Sequence, residues 1–239
     1  MAQTFSPIQN HILSKLKNAK LLRYSEMQPG DIPNDLFNYH LQFLVKKGYV
    51  DRSEEGYALA EAGIKHVADP DILDGSEKIA STFKVNVITI VSRIYGGKIQ
   101  ILNQVRKSHP SFGKVGVPGG IVRKGEPLTV AAKRKLKAET GLEAEFRVIG
   151  IERRMMYNGD SLFSDVVFPI AYTDKFEGQL QDDTEFGHNM WVDIDEAIKN
   201  DSAEFDSIRK IVDVFRAIRD GVIHTMPFFY DEEVQRGRF

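Results

Sequence analysis

The chain has 239 residues, 42% of them hydrophobic and 28% charged, with a formal net charge of -2 at pH 7 and no cysteine. That is a globular composition long enough for one large domain or two ordinary ones, with no whole-protein field to draw it to nucleic acid, so any DNA contact needs a local patch. It excludes disulfides, thiolate catalysis and cysteine-ligated metal centres; with no apolar signal core in Met1 to Lys20 and no apolar run of about 18 residues, the expectation is a cytoplasmic protein without a membrane span.

Ser6-Pro7 opens a helix, with Ser6 as cap, Pro7 in the first turn and Ile8, Ile12, Leu13 and Leu16 as its apolar stripe. Leu21-Leu22-Arg23-Tyr24 begins a second helix, and Met27-Gln28-Pro29-Gly30 breaks it. A third runs through Leu36, Phe37, Leu41 and Leu44 and stops at Gly48. Tyr49 to Arg52 reads as a strand, Ser53 to Gly56 as a turn, Tyr57 to Leu59 as the returning strand and Ala60 to Val67 as a closing helix. This order resembles a winged helix–turn–helix, with FNYHLQFLVKKG (Phe37 to Gly48) similar to a recognition helix and YVDRSEEGYALAEAG (Tyr49 to Gly63) similar to a wing and its closing helix. The resemblance implies a domain over residues 1–72 whose third helix enters the major groove. Asn34, Asp35, Asn38, Gln42 and Lys46 are then the candidate DNA contacts, since Asn and Gln can read adenine edges, and Arg52 would reach a phosphate from the wing. Glu54 and Glu55 would repel phosphate, and a protein-contact or dimerisation role is the alternative. Asp69 to Ser76 is polar and turn-prone, a linker.

From residue 77 onward, Phe83 to Ile94 is a β-branched strand, Gly96-Gly97 a turn and Lys98 to Val105 a second strand. Gly119-Gly120 reads as a flexible turn after Pro118. Pro127 fits the start of a helix that covers Leu128 to Thr140 and is stopped by Gly141 in the left-handed region. Glu145 to Tyr157 and Phe163 to Tyr172 are strand regions, Asp174 to His188 an irregular acidic stretch, and Trp191-Val192 the last strand, with Asp193 or Asp195 capping the following turn. Ser207 to Arg219 is a helix with Ile208, Ile211, Val212, Phe215 and Ile218 on one face. The tail IHTMPFFYDEEVQRGRF carries an aromatic cluster, Phe228-Phe229-Tyr230, expected to pack on its own core, with covering a groove or meeting a partner subunit as the alternatives.

The stretch GGIVRKGEPLTVAAKRKLKAETGL, Gly119 to Leu142, resembles the box of the Nudix hydrolases: Gly, five residues, Glu, seven residues, Arg-Glu, an aliphatic, any residue, Glu-Glu, any residue, Gly, an aliphatic. Gly120, Glu126, Arg134, Leu136, Glu139, Gly141 and Leu142 fall on it in register. Lys135 stands where the first metal-binding glutamate is expected and Ala138 where the second is. The resemblance implies an α+β chain: the winged helix–turn–helix, then a Nudix-type α/β/α sandwich with a mixed sheet over residues 77–239.

Positions 135, 138 and 139 share one helix face. Three carboxylates there would make a hard-cation site able to polarise a phosphoryl group and activate water. An ammonium offers no ligand lone pair but can contact phosphate directly. The face therefore reads as a solvated basic surface, as an anion site with little metal, or as a metal site completed by carboxylates elsewhere. For an anion site the ligand-binding candidates are Gly119, Gly120, Arg134, Lys135 and Glu139. For a metal site, Glu139 and Glu126 would hold magnesium or manganese, and the resemblance adds Glu185 in the acidic loop to them as a catalytic candidate. Tyr157, Phe163 and Phe186 are candidate stacking aromatics.

The first functional reading is a ligand-sensing, DNA-binding transcriptional regulator: a homodimer on a double-stranded operator, its Nudix-like domain binding a phosphorylated nucleotide metabolite with hydrolysis impaired. The alternatives are a magnesium-dependent hydrolase cleaving a nucleoside diphosphate linked to another moiety, such as ADP-ribose, and a protein-interaction module. Fold alone does not choose among them.

Overall fold

The computed structural model describes residues 5–68, 84–109, 111–199 and 209–237, without the side chains of Asn158, Ser161, Phe163 and Arg209. Among them the chain divides into two compact units, one formed by residues up to 82 together with Lys107–Phe112, the other by residues 83–106 and 113–238. The expected linker, 69–76, lies outside the described residues.

In the N-terminal unit, α1 (Pro7–Lys17) starts on a capping box. The Gln9 amide donates to Ser6 Oγ at 3.3 Å and the Ser6 amide donates to Gln9 Oε1 at 2.8 Å, which satisfies two of the helix's free N–H groups. The second helix is shorter than its sequence suggests. Leu22 instead forms an antiparallel bridge with Tyr57, each amide donating to the other's carbonyl at 2.9 and 2.8 Å, and α2 covers Tyr24–Met27 alone. The pairing partner is more than 30 residues away, so local propensity gave no sign of it. Next come α3 (Asn34–Lys46), the hairpin β1 (Val50–Arg52) and β2 (Tyr57–Leu59), and α4 (Glu61–Ala68). Phe37, Leu41 and Leu44 of α3 meet Ile12, Leu13 and Leu16 of α1, with Met27, Val50, Leu59 and Val67 closing the core.

The second unit is built on two long strands, β3 (Lys84–Tyr95) and β4 (Lys98–Arg106). Two short strands follow, β5 (Val115–Gly116) and β6 (Gly119–Ile121), then helix α5 (Leu128–Thr140). After β7 (Glu143–Ala144) come β8 (Arg147–Asn158), β9 (Ser161–Thr173), β10 (Phe176–Glu177) and β11 (Gly187–Asp193). Helices α6 (Ile194–Lys199) and α7 (Arg209–Arg219) precede β12 (Phe229–Gly237). The main sheet runs β11-β4-β3-β9-β8-β12, with β5 on β4 and β6 on β3. It is mixed: β3 with β9 and β8 with β12 are parallel, the other pairs antiparallel.

One face of this sheet takes α5, through Ala131, Ala132 and Leu136 against Val87, Val91, Leu102 and Ala171. The other takes α6 and α7, through Ala197, Ile211, Val214, Phe215 and Ile218 against Ile88, Ile90, Ile149 and Ile170. The α+β class and the mixed sheet between helices are as the sequence implies.

Two local readings change. Gly119-Gly120 is not a free turn but strand β6, paired with Asn86–Ile88. The tail is also a strand: β12 adds in parallel to β8, with Phe229 packed on the α7-side core while Phe228 and Tyr230 stay exposed.

Candidate functional site

The helix α5 holds the candidate residues because its ends are fixed. Gly141 ends it at φ 77°, donating its amide to the Lys137 carbonyl at 3.0 Å, the left-handed stop that glycine supplies without a Cβ penalty. Beside the helix runs β6. A Cβ on Gly119 would come within 2.4 Å of the Val87 carbonyl oxygen, and one on Gly120, at φ 147°, within 2.6 Å of Lys135 Cε. Gly119 lets β6 lie close to the Val87 backbone, and Gly120 lets it lie directly against the Lys135 side chain.

Lys135 and Glu139 meet there. The ammonium lies 2.5 Å from Glu139 Oε1, and the two side chains are 15% and 5% exposed. The Gly119 amide donates to the other oxygen, Glu139 Oε2, at 3.2 Å. Lys135 Nζ also sits 5.0 Å from the centre of the Phe186 ring, within cation–π range. Glu139 therefore spends one oxygen on a lysine and one on a backbone amide.

Glu126 is equally committed. Arg134 grips it with Nε on Oε1 and a terminal nitrogen on Oε2, both at 2.7 Å, and the Arg123 amide adds a bond to Oε2 at 2.9 Å. These bonds, the Arg134 side chain first and the Arg123 amide second, hold the Glu126 carboxyl down at about 2. Arg134 also donates to the Ile121 carbonyl at 3.0 Å, so the pair ties the loop before α5 to the helix. Glu185 is exposed in the loop ahead of β11, and Ala138 is exposed on the helix. The one carboxylate left from the expected trio is thus paired with an ammonium. Among the described residues no group of three or more His, Cys, Asp or Glu is placed to hold a metal.

The basic run along α5 is not an open cationic surface either. Lys133 pairs with Glu145, Arg134 with Glu126, Lys135 with Glu139 and Lys137 with Glu143. Each partner lies outside the run, which is why the run reads as basic in sequence.

Sequence reasoning missed the residues that fasten the end of α5. Asn189, 2% exposed, donates through Nδ2 to the Glu139 and Gln181 carbonyls, both at 2.8 Å. Gln104 Nε2 donates to Asn189 Oδ1 at 3.0 Å, and Thr184 Oγ1 donates to the Glu139 carbonyl at 3.2 Å. Asn189 thus fixes the backbone of Glu139 from 50 residues away, a separation with no local signature. Of the candidate aromatics, Phe186 lies at Lys135, while Tyr157 lies on β8 under the Arg236 guanidinium; the Phe163 side chain is outside the described set.

In the N-terminal unit Asn34, Asp35, Asn38 and Lys46 are exposed and Gln42 half-buried, all on α3, and Arg52 is exposed on β1. Gln42 Nε2 donates to Asn38 Oδ1 at 3.3 Å, and Gln28 Nε2 to Asn34 Oδ1 at 2.6 Å. Asp35, Asn38, Gln42 and Lys46 stand on the face opposite the buried Phe37, Leu41 and Leu44.

Comparison with solved structures gives several likenesses. The MutT protein of Bacillus halodurans matches at 19% identity and a TM-score of 0.49, covering 62% of this chain and 87% of that one. The NUDIX domain of Shewanella oneidensis NrtR, solved with ADP ribose, matches at 15% identity and 0.49, covering 64% and 98%. A C. elegans Ap4A hydrolase matches at 19% identity and 0.40, covering 58% and 98%. No curated protein matches the chain. The family model of the NUDIX domain matches residues 83–214, more than half of the chain, and so this protein belongs to the Nudix family.

Proposed function

We propose that the Nudix domain binds a phosphorylated nucleotide-type metabolite without efficient hydrolysis, and that the N-terminal unit is a winged helix–turn–helix through which a homodimer reads operator DNA. The observation that carries the first half is the Lys135–Glu139 ion pair at 2.5 Å. It puts a tethered ammonium where catalysis in the family needs a cation held by carboxylates. An ammonium can steady a pyrophosphate, but it neither coordinates a water nor lowers its pKa. An arriving phosphate would compete with Glu139 for Lys135, with Phe186 beside it to meet a base or sugar.

The second half is supported by element order in the N-terminal unit and by the polar stripe on α3. Under this reading residues 1–72 form the DNA-binding domain and 77–239 the ligand domain, and Arg52 meets a phosphate from the hairpin. Calorimetry decides the ligand half. The reading expects no magnesium binding by the free protein, and tighter binding of phosphorylated metabolites than of their dephosphorylated forms. Equal affinity for the two forms would sink it. Anisotropy against DNA from upstream of the protein's own gene tests the other half, and salt-independent or absent binding would sink that.

Family membership itself favours a second reading, a magnesium- or manganese-dependent hydrolase of a nucleoside diphosphate linked to another group. It asks Glu139 to leave Lys135 and Glu126 to leave Arg134, or carboxylates such as Glu185 to move in. Turnover of dinucleotides or nucleotide sugars within the usual enzyme range of about 1 to 1000 per second would establish it over the sensor.

A further inference from the structure

The strand β12 ends the sheet. It pairs with β8 along one edge, and among the described residues no strand pairs with the other. In a parallel pair only alternate residues turn their amide and carbonyl toward the neighbour, so the alternate set on β12 faces outward. The stretch Phe229–Gly237 has no proline, one of the devices that keep an edge strand from pairing, and its charges, another such device, are of both signs. Its outward side chains divide by face. Phe229 packs on the α7-side core, which puts Tyr230, Glu232, Val234 and Arg236 on the opposite face. Tyr230 and Val234 are 63% and 53% exposed.

The charges along this strand run one way, acidic at Asp231, Glu232 and Glu233 and basic at Arg236. We propose that the open edge of β12 is a self-recognition surface and that its partner is β12 of a second copy of this chain, antiparallel across a twofold axis normal to the sheet. Such an interface is isologous, and its register follows from charge. The axis keeps the same face upward in both copies, so a residue meets one of its own parity. Centring on Glu232 or on Glu233 sets like carboxylates directly opposite, which is unfavourable. Centring on Gln235 leaves Arg236 facing Val234. Centring on Val234 pairs the two valines, faces Glu233 with Gln235 and sets Glu232 of each copy opposite Arg236 of the other, so two ion pairs form by symmetry.

Within one chain Glu232 accepts from the Tyr230 hydroxyl at 2.5 Å and lies 3.6 Å from Arg153, while Arg236 lies over the Tyr157 ring at 4.9 Å. Both Arg153 and Tyr157 belong to β8, so pairing between copies would turn the two charged groups from that strand outward to the new neighbour. The pairing draws nothing from the ligand site; it gives the homodimer of the proposed function an interface, and the charge variants separate this edge from any other dimer contact.

The experiment is sedimentation velocity on the full chain across the micromolar range, with circular dichroism as a check on folding. The wild type is expected to dimerise reversibly. Glu232→Arg and Arg236→Glu, each alone, put like charges opposite at both symmetric positions and should raise the dimer dissociation constant roughly tenfold. The double substitution should restore it. So should mixing the two single variants, because in that heterodimer both cross-strand pairs are again of opposite sign; a loss caused by local damage would not be rescued by mixing. A wild type that stays monomeric would overturn the proposal and leave the edge to another occupant, such as a strand from a different protein. Single variants that dimerise like the wild type, or a mixture that fails to re-form the dimer, would overturn it as well.

Discussion

Replacing Lys135 with methionine keeps the length of the side chain and removes its charge, and its cost can be worked from the geometry. At 2.5 Å, with an effective dielectric of about 20, the gross attraction is about 7 kcal/mol, most of it offset by the desolvation of both ions. Breaking a buried pair by deleting one partner typically costs about 3–5 kcal/mol. Lys135→Met should therefore destabilise the Nudix domain by about 3–5 kcal/mol at pH 7. Urea unfolding of variant and wild type measures this, and a double-mutant cycle with Glu139→Gln isolates the pair. A deficit under about 1 kcal/mol would refute the view that this ion pair holds the site in place of a metal.

Other expectations follow from the same geometry. Lys135→Glu with Ala138→Glu rebuilds the acidic face, and the double variant, unlike the wild type, should gain about 2.7 kcal/mol of stability when magnesium is at a hundred times its Kd; a melting curve indifferent to magnesium would count against it. Glu152 is fully buried beside Arg154, and burial pushes its carboxyl up to about 7, with the Glu233 charge adding to the rise. It opposes folding above that value, so stability should increase as pH drops from about 7 toward 4.5, by roughly 3 kcal/mol in all, and Glu152→Gln should flatten that slope in urea titrations. Asn189→Ala strands the Gln181 carbonyl and the Gln104 amide and leaves the Glu139 carbonyl with Thr184 alone, and should cost about 2–4 kcal/mol by chemical denaturation. On the winged-helix reading, Gln42→Ala should relax operator specificity, while Lys46→Ala should weaken all DNA binding and lower the salt slope by about 1.

The parts that were legible in the sequence are the local ones. Pro127 and Gly141 located α5 and its stop, and the resemblance to the Nudix box from Gly120 to Leu142 marked where its carboxylates are missing. The Lys135–Glu139 pair is itself an i,i+4 pair, visible in the sequence, yet Lys135 read as an open cation because its burial against Gly120 depends on where β6 lies. Asn189 and Gln104 escaped notice because what they fasten is far away along the chain. The strand β12 was hidden for a different reason. Its YDEEVQR lacks the apolar and polar alternation of a half-buried strand, and only the parallel neighbour β8 makes it a strand.

That parallel pairing also bears on how the domain is made. Val234 of β12 sits against Met155 of β8, nearly eighty residues earlier, and contacts of such long range form late. At about 5–20 residues per second of synthesis, the free side of β8 would wait some 4–16 s for its own β12 to emerge. On a crowded polysome the first strand to reach it can belong to a neighbouring nascent chain. An exchange of β12 between two chains would preserve every bond of the finished sheet while entangling the molecules, a kinetic trap that slower translation through residues 160–228 would deepen and a prompt arrival of β12 would avoid.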